Sequence, residues 1–340
     1  MRRLALLLLL LLSASVALAY RELRRPVLTT ASEPRVLDVP AGANAATIGE
    51  QLTGLGLVRH PILFRALVRL RNAGGKLKAG HYTLRGPITL VDILDELERG
   101  SVSRFDITFP EGKNIEEMAR IAAAAGVDEA AFLAMARAGT AIHDLDPEAT
   151  DLEGYLFPDT YDVPPRNGRA AELVGQMLRR FRNVLSRLPL DEDEMSVREL
   201  VTMASLVELE TARADERPRI AAVFLNRLDR GMLLQTDPTV IYALRLAGTY
   251  DGNIRKRDLA IDSPYNTYRH AGLPPGPIAS PGREALAAVL EPADVKDLYF
   301  VSRNDGSHHF SSTLREHERA VDEYQRRRRR PSPGPQSPDG

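Results

Sequence analysis

The chain has 340 residues, of which 44% are hydrophobic, and this length and composition predict roughly two globular domains. Its 45 basic and 46 acidic side chains leave a formal net charge of −1, so no overall field attracts nucleic acid or acidic lipid. The absence of cysteine excludes disulfides, thiolate metal ligands, a thiol nucleophile and a lipidated cysteine.

The first 20 residues have the pattern of an export signal. Arg2 and Arg3 precede an uncharged run, residues 4–19, whose first nine residues are all apolar. Two outcomes fit this run. Ala17-Leu18-Ala19 resembles a signal-peptidase site, whereas a retained run would anchor the chain as a short membrane helix. We interpret residues 1–20 as a signal anchor or transmembrane segment, and the polar, proline-punctuated residues 21–34 as a spacer.

Residues 35–103 predict a small α+β module. The apolar spacing indicates strands at 35–39 and 77–84 and helices at 46–55, 60–71 and 89–98. Thr89 is suited to cap the last helix, with Asp92 at its third helical position and Gly100 after its end. These signals predict an independent unit of about 70 residues.

Residues 104–325 predict a larger mixed α/β domain. A strand at 105–109 runs into Pro110-Glu111-Gly112, and Asn114 with Glu117 starts an alanine-rich helix at 115–125. Asp128 opens a short helix, residues 152–165 read as an ordered loop, and residues 170–188 form an amphipathic helix. After an expected strand at 297–302, the arginine- and proline-rich residues 326–340 read as a disordered tail.

A helix from Val197 to about residue 211 carries the first candidate catalytic residue. Ser196 with Glu199 forms a capping-box pattern at its start, and its apolar stripe faces a core. At about 100° per residue, Glu208 lies on the shoulder of this stripe, about 80° from Leu200. Partial burial raises the pKa of a carboxyl group, which would let Glu208 act as a general acid near neutral pH.

Periodicity alone does not choose between Glu208 and Glu210, which lies on the opposite shoulder of the same stripe. Residues two apart on a helix do not face each other, so the two cannot form a carboxylate pair. A simpler interpretation is that both form ion pairs with Arg213, Arg217 or Arg219. We assign Glu210 to structure.

Two polar segments beyond the next helix, residues 215–230, have a composition suited to sugars. They are Gln235-Thr236-Asp237-Pro238 and Ser263-Pro264-Tyr265-Asn266-Thr267-Tyr268. Amides and carboxylates bind sugar hydroxyls, and aromatic rings cover the flat C–H faces. Composition supports equally the interpretation that these are turn residues bonded to their own backbone.

Other chemistries have little support in the sequence. It contains no nucleophile elbow, Walker A loop, His-Glu-x-x-His or dinucleotide fingerprint. His308-His309 is the one histidine pair, and we expect it to lie in a polar turn with a structural role. We expect no metal and no cofactor.

Several ordered motifs resemble the endolytic murein transglycosylases of the MltG or YceG-like family. The matching segments are residues 78–80, 152–161 (LEGYLFPDTY), 204–208 (ASLVE), 234–240 (LQTDPTV), 265–268 (YNTY), 272–278 (GLPPGPI) and 299–301. The resemblance covers residues 35–325. In one departure, Leu209 stands where family members often have lysine.

The resemblance implies a single-pass inner-membrane anchor, a LysM-like module at 35–103 and an extracytoplasmic catalytic domain at 104–325. It implies peptidoglycan glycan strands as substrate, with cell-wall synthesis enzymes as further candidate partners. Glu208 falls on the catalytic glutamate, which would leave 1,6-anhydro-N-acetylmuramic acid ends. The resemblance also suggests substrate-binding residues, namely Glu153, Tyr155, Gln235, Thr236, Asp237, Tyr265, Asn266 and Tyr268.

Two other functions fit the sequence. A muramidase-type hydrolase would need a second carboxylate beside Glu208, for which Glu153, Asp159 and Asp237 are candidates. A non-catalytic scaffold would bind peptidoglycan through the small module and recruit other proteins through the larger domain.

Overall fold

The computed structural model describes residues 21–326 apart from 22, 41, 101–105 and 164–168. The predicted segment 1–20 and all of the predicted tail after residue 326 therefore lie outside the described residues. Within the described part, no helix combines the length and apolar character needed to cross a membrane. These residues form two compact units of mixed α and β structure, one from 21–100 with 162–163 and one from 106–161 with 169–326.

The first unit combines two small antiparallel sheets with three helices. Its elements are β1 (Pro26–Leu28), β2 (Arg35–Val39), α1 (Ala45–Gly54), α2 (Pro61–Leu70), β3 (Gly80–Leu84), β4 (Ile88–Thr89) and α3 (Leu90–Arg99). Strand β2 pairs with β3, and β1 pairs with β4. Alternating apolar residues of β2 and β3 pack on the helices, so that Leu37, Ile48 and Tyr82 are fully buried.

The predicted elements of this unit are present, with two additions. Thr89 and Asp92 form the expected capping box, and Gly100 ends α3 in the left-handed conformation with φ 75°. The sequence did not indicate β1 or β4. Because β1 belongs to the segment that we interpreted as a spacer, part of that segment is ordered within the unit.

The second unit is mainly helical. Its elements are β5 (Asp106–Thr108), α4 (Ile115–Ala124), α5 (Glu129–Ala136), β6 (Thr160–Asp162), α6 (Arg169–Leu185), α7 (Val197–Glu210), α8 (Arg217–Asp229), α9 (Asp237–Leu246), α10 (Arg283–Leu290), β7 (Tyr299–Ser302), β8 (His308–Ser311) and α11 (Leu314–Val321). Strand β5 pairs with β6 and β7 pairs with β8.

Helix α7 lies at the centre of the second unit and contacts α8, α9 and α10. The capping box of Ser196 and Glu199 begins it as predicted. The helix is more buried than the expected single apolar stripe predicts, because every residue from 200 to 207 is buried. Neighbouring helices therefore surround α7 on most sides, which the sequence period alone could not show.

Three other expectations for this unit differ from the structure. Helix α9 begins at Asp237, inside a polar segment that we described as sugar-binding or turn residues, because Pro238 suits the first turn of a helix. His308 and His309 lie in β8 and pair with β7, not in a turn. The segment 152–165, expected to be a loop, contains the short strand β6.

Replacing Ser196 with alanine should lower the free energy of unfolding by about 1 kcal/mol, because it removes the acceptor that caps the Glu199 N–H at the start of α7. Ser186→Ala is the matched control, since its exposed hydroxyl only donates to the Asn183 carbonyl. Urea unfolding measures both. Equal midpoints for the two variants would show that this cap does not stabilise the chain.

Candidate active site

Glu208 lies in the last turn of α7, where groups from two neighbouring helices donate hydrogen bonds to its carboxylate. Its Oε1 accepts a hydrogen bond from Arg217 Nη2 at 2.8 Å, and its Oε2 accepts one from the Gly282 N–H at 3.0 Å. Arg217 begins α8 and Gly282 precedes α10, so three helices meet at this carboxylate. The Glu208 side chain is only 6% exposed.

A second carboxylate, Glu111, approaches the same guanidinium from the turn after β5. Glu111 Oε2 lies 3.3 Å from Arg217 Nη2, and its side chain is 40% exposed. The sequence indicated a turn at Pro110-Glu111-Gly112 but did not identify Glu111 as a site residue. The structure thus places Glu111 beside the predicted acid.

The surroundings of Glu208 favour its protonated form. Burial raises the pKa of the Glu208 carboxyl, and the negative charge of Glu111 raises it further. The Gly282 N–H and the Arg217 guanidinium act in the opposite direction. The net effect is a raised pKa, as a general acid requires.

Glu210 lies on the other side of α7 and is not ion-paired with Arg213, Arg217 or Arg219. It accepts a hydrogen bond from the Thr236 hydroxyl and borders a cavity of about 300 Å³. Burial raises the pKa of Glu210 to about 7, and the nearby Asp237 also raises it. The remaining residues that line this cavity are Arg227, Leu234, Gln235, Asp237, Tyr268, Phe300 and His317.

Comparisons with known proteins agree with the motifs. The YceG-like family matches residues 37–323. The chain is 34% identical over 310 residues to the endolytic murein transglycosylase of Bacillus subtilis (strain 168), which covers 85% of this chain and 84% of that protein. The chain belongs to the YceG-like family.

Two further relatives extend the comparison. A Streptococcus pneumoniae serotype 2 protein, also named endolytic murein transglycosylase, is 32% identical over 321 residues. That match covers 84% of this chain and 57% of the streptococcal protein. The 2.6 Å crystal structure of a YceG-like protein from Listeria monocytogenes superimposes with a TM-score of 0.56 at 30% identity, covering 84% of this chain and 98% of that one.

In this YceG-like chain, the binding residues expected at 235–237 and 268 gather around Glu210. Gln235 is held at φ 50° and donates its N–H to the Thr267 carbonyl. Tyr268 donates its hydroxyl to Asp237 Oδ1 at 2.6 Å. Thr236 is buried and acts as the hydrogen-bond donor to Glu210.

Three other expected binding residues make contacts within the protein. Asn266 is fully buried, and its amide donates to the carbonyls of Leu259 and Ile261. Tyr155 is buried in the core, where its hydroxyl donates to Asp146. Tyr265 packs against Tyr242, with ring centroids 4.9 Å apart. Asn266 therefore fits the interpretation as a turn residue whose side chain bonds to nearby backbone.

Glu153 borders a different and larger cavity of about 920 Å³. Its carboxylate accepts hydrogen bonds from the Ile115 N–H at 3.2 Å and from the Tyr242 hydroxyl at 3.2 Å. Burial raises the pKa of Glu153 to about 8. In the part of the chain that is described, no group of three acidic or histidine side chains forms a possible metal site.

The raised pKa of Glu153 predicts a pH dependence of stability. In the unfolded chain Glu153 ionises near its ordinary value of 4.5, whereas in the folded chain it stays protonated up to about pH 8. Its contribution to the free energy of unfolding is therefore full below about pH 4.5 and is lost as the pH rises through 8.

Glu153→Gln cannot ionise, so the variant should not lose this contribution. Between pH 5 and 8 the wild type should lose a few kcal/mol relative to the variant in urea unfolding. Glu148→Gln is the control, because the Glu148 side chain is 85% exposed. Parallel pH curves for wild type and Glu153→Gln would contradict the burial of an uncharged carboxyl.

Proposed function

We propose that this chain cleaves peptidoglycan glycan strands by lytic transglycosylation, with Glu208 as the acid and then the base. Membership of the YceG-like family and 34% identity to a named endolytic murein transglycosylase make the chain a lytic transglycosylase of murein. The observation that carries the assignment of Glu208 is its buried carboxyl, held between Arg217 and the Gly282 N–H.

The reaction that we propose needs one carboxyl group in two successive roles. Protonated Glu208 gives its proton to the glycosidic oxygen as the bond from C1 of N-acetylmuramic acid breaks. The resulting carboxylate takes the proton of the C6 hydroxyl of the same sugar, whose oxygen bonds to C1 and closes the 1,6-anhydro ring. Arg217 and the Gly282 N–H stabilise the carboxylate between the two steps.

The cavity at Glu210 supports a sugar subsite. Its volume of about 300 Å³ is at the lower end of the range for small-molecule sites, and an amide, two carboxylates and a phenol line it. Burial and the bond to Asp237 raise the pKa of Tyr268, so its hydroxyl keeps the proton that it donates to Asp237 and presents its oxygen as an acceptor. We assign Gln235, Asp237 and Tyr268 to substrate binding there.

The proposal also includes the expected small module, membrane segment and partner enzymes. The first unit, with predicted limits 35–103, would act as a LysM-like glycan-binding module beside a catalytic domain at 104–325. Residues 1–20 would hold the chain at the inner membrane with its body outside the cytoplasm. Cell-wall synthesis enzymes are the partners expected for cleavage of newly made strands.

A retaining hydrolase is the second candidate function, and Glu111 is the observation that favours it. Because Arg217 Nη2 lies 2.8 Å from a Glu208 oxygen and 3.3 Å from a Glu111 oxygen, these oxygens are at most about 6 Å apart. Retaining glycosidases hold their two carboxyl groups about 5–5.5 Å apart. Glu111 would then be the nucleophile, and water would enter the product.

Glu208→Gln should reduce the turnover rate by about 10²–10⁴ while the chain stays folded, because the amide keeps the shape but cannot donate the proton. Mass spectrometry of soluble products from purified sacculi should show anhydro ends in the wild-type digest, lighter by one water than hydrolysis products.

Glu210→Gln is the matched control on the same helix turn, and its loss should be smaller. A larger loss in Glu210→Gln than in Glu208→Gln would move the acid to Glu210. Products with reducing ends would instead favour the hydrolase, whichever glutamate supplies the proton.

Tyr268→Phe should raise KM for glycan strands about 2–10-fold with a smaller effect on kcat, because it removes an acceptor oxygen from the cavity at Glu210 and leaves Asp237 without its hydrogen-bond donor. Tyr250→Phe is the control, since Tyr250 lines the larger cavity at Glu153. A KM effect confined to Tyr250→Phe would place the sugar subsite in that larger cavity.

A further inference from the structure

Arg217 binds two carboxylates through a single nitrogen atom. Its Nη2 lies 2.8 Å from Glu208 Oε1 and 3.3 Å from Glu111 Oε2. The Arg217 side chain is 8% exposed, and its buried Nε has no hydrogen-bond partner among the residues that the structure describes. A guanidinium group has five N–H donors and usually binds one carboxylate in bidentate fashion. Here the two N–H groups of Nη2 are divided between Glu208 and Glu111.

We propose that Glu111 is a positioning residue of the transglycosylation site, which shares the Arg217 guanidinium with Glu208 and so prevents Arg217 from fully neutralising the catalytic acid. This inference rests on the proposed role of Glu208. It assigns to Glu111 a function in a lyase, where no second carboxylate is needed to activate water.

The local backbone is adapted to the position of Glu111. The carboxylate of Glu111 lies against the Cα of Gly282, and a β-carbon at Gly282 would collide with it. Gly282 has φ −77°, which any residue can adopt, so backbone conformation does not require glycine here. Glycine at position 282 instead leaves the space that the Glu111 carboxylate occupies.

The charged groups around Glu208 determine the sign of the effect. Glu111 faces it from the turn after β5, Arg217 faces it from α8, and α10 contributes the uncharged Gly282 N–H. Removing the charge of Glu111 takes away a repulsion and leaves Arg217 wholly to Glu208. Both changes favour the ionised form of Glu208, so the acid loses its proton at lower pH.

The test is the pH dependence of kcat for the full chain on defined glycan strands. The alkaline limb reports loss of the proton from the acid in the enzyme–substrate complex. In Glu111→Gln this limb should move to lower pH by roughly one unit, with about tenfold lower kcat on the alkaline side and little change in KM. Glu111→Asp keeps the negative charge, so its alkaline limb should lie close to the wild-type position.

Gly282→Ala is a second test, which keeps Glu111 in the chain and keeps the backbone N–H that bonds to Glu208. The added methyl group should displace the Glu111 carboxylate and shift the alkaline limb in the same direction as Glu111→Gln. Asp144→Asn is the matched control, because Asp144 is an exposed partner of Arg182 in another ion pair. Its pH profile should equal that of the wild type.

The outcomes separate this inference from the proposed function. If Glu208→Gln is inactive and the products are anhydro sugars, but Glu111→Gln and Gly282→Ala keep the wild-type alkaline limb, then Glu111 does not position the acid. If Glu111→Gln folds by circular dichroism and abolishes turnover at every pH, Glu111 takes part in bond cleavage and the positioning role is wrong. If Glu208→Gln stays active, the proposed function fails first.

Discussion

The burial of α7 on most of its surface is the constraint on which the candidate site depends. Residues 200–207 pack against α8, α9 and α10, so the two glutamates of the last turn lie among other helices, while Leu209 between them is exposed. A carboxylate at that position loses its hydration, so nearby groups must donate hydrogen bonds to it. Arg217 and the Gly282 N–H donate to Glu208, and the Thr236 hydroxyl donates to Glu210.

The helix period assigns different surroundings to the two glutamates. Two residues correspond to about 200° of rotation, so Glu208 and Glu210 project on opposite sides of α7. Glu208 contacts a guanidinium that a second carboxylate shares, whereas Glu210 borders a cavity whose walls include Arg227, Asp237 and aromatic rings. This difference is the basis for our proposal of proton transfer at Glu208 and of sugar binding in the cavity at Glu210.

The features that the sequence predicted well are local. The capping boxes at Thr89, Asn114 and Ser196 depend on residues three apart, and all three are present. Glu111 was missed as a site residue because its partner Arg217 is 106 positions away, and no periodicity links residues so distant. The start of α9 at Asp237 was missed because its first turn has the composition of a loop.

The presence of a second carboxylate near Glu208 is compatible with a lyase. Once the bond to C1 weakens, water and the C6 hydroxyl of the same sugar are the competing nucleophiles for the electrophilic carbon, while the Glu111 carboxylate is bonded to Arg217. The C6 hydroxyl belongs to the same molecule, and effective molarities of well-oriented intramolecular groups reach about 10⁵–10⁸ M. Pure water is far more dilute than this. Attack by the C6 hydroxyl is therefore faster than attack by water wherever the sugar ring is held with C6 towards Glu208. The geometry of sugar binding, more than the number of carboxylates, therefore decides whether an anhydro ring or a reducing end is formed.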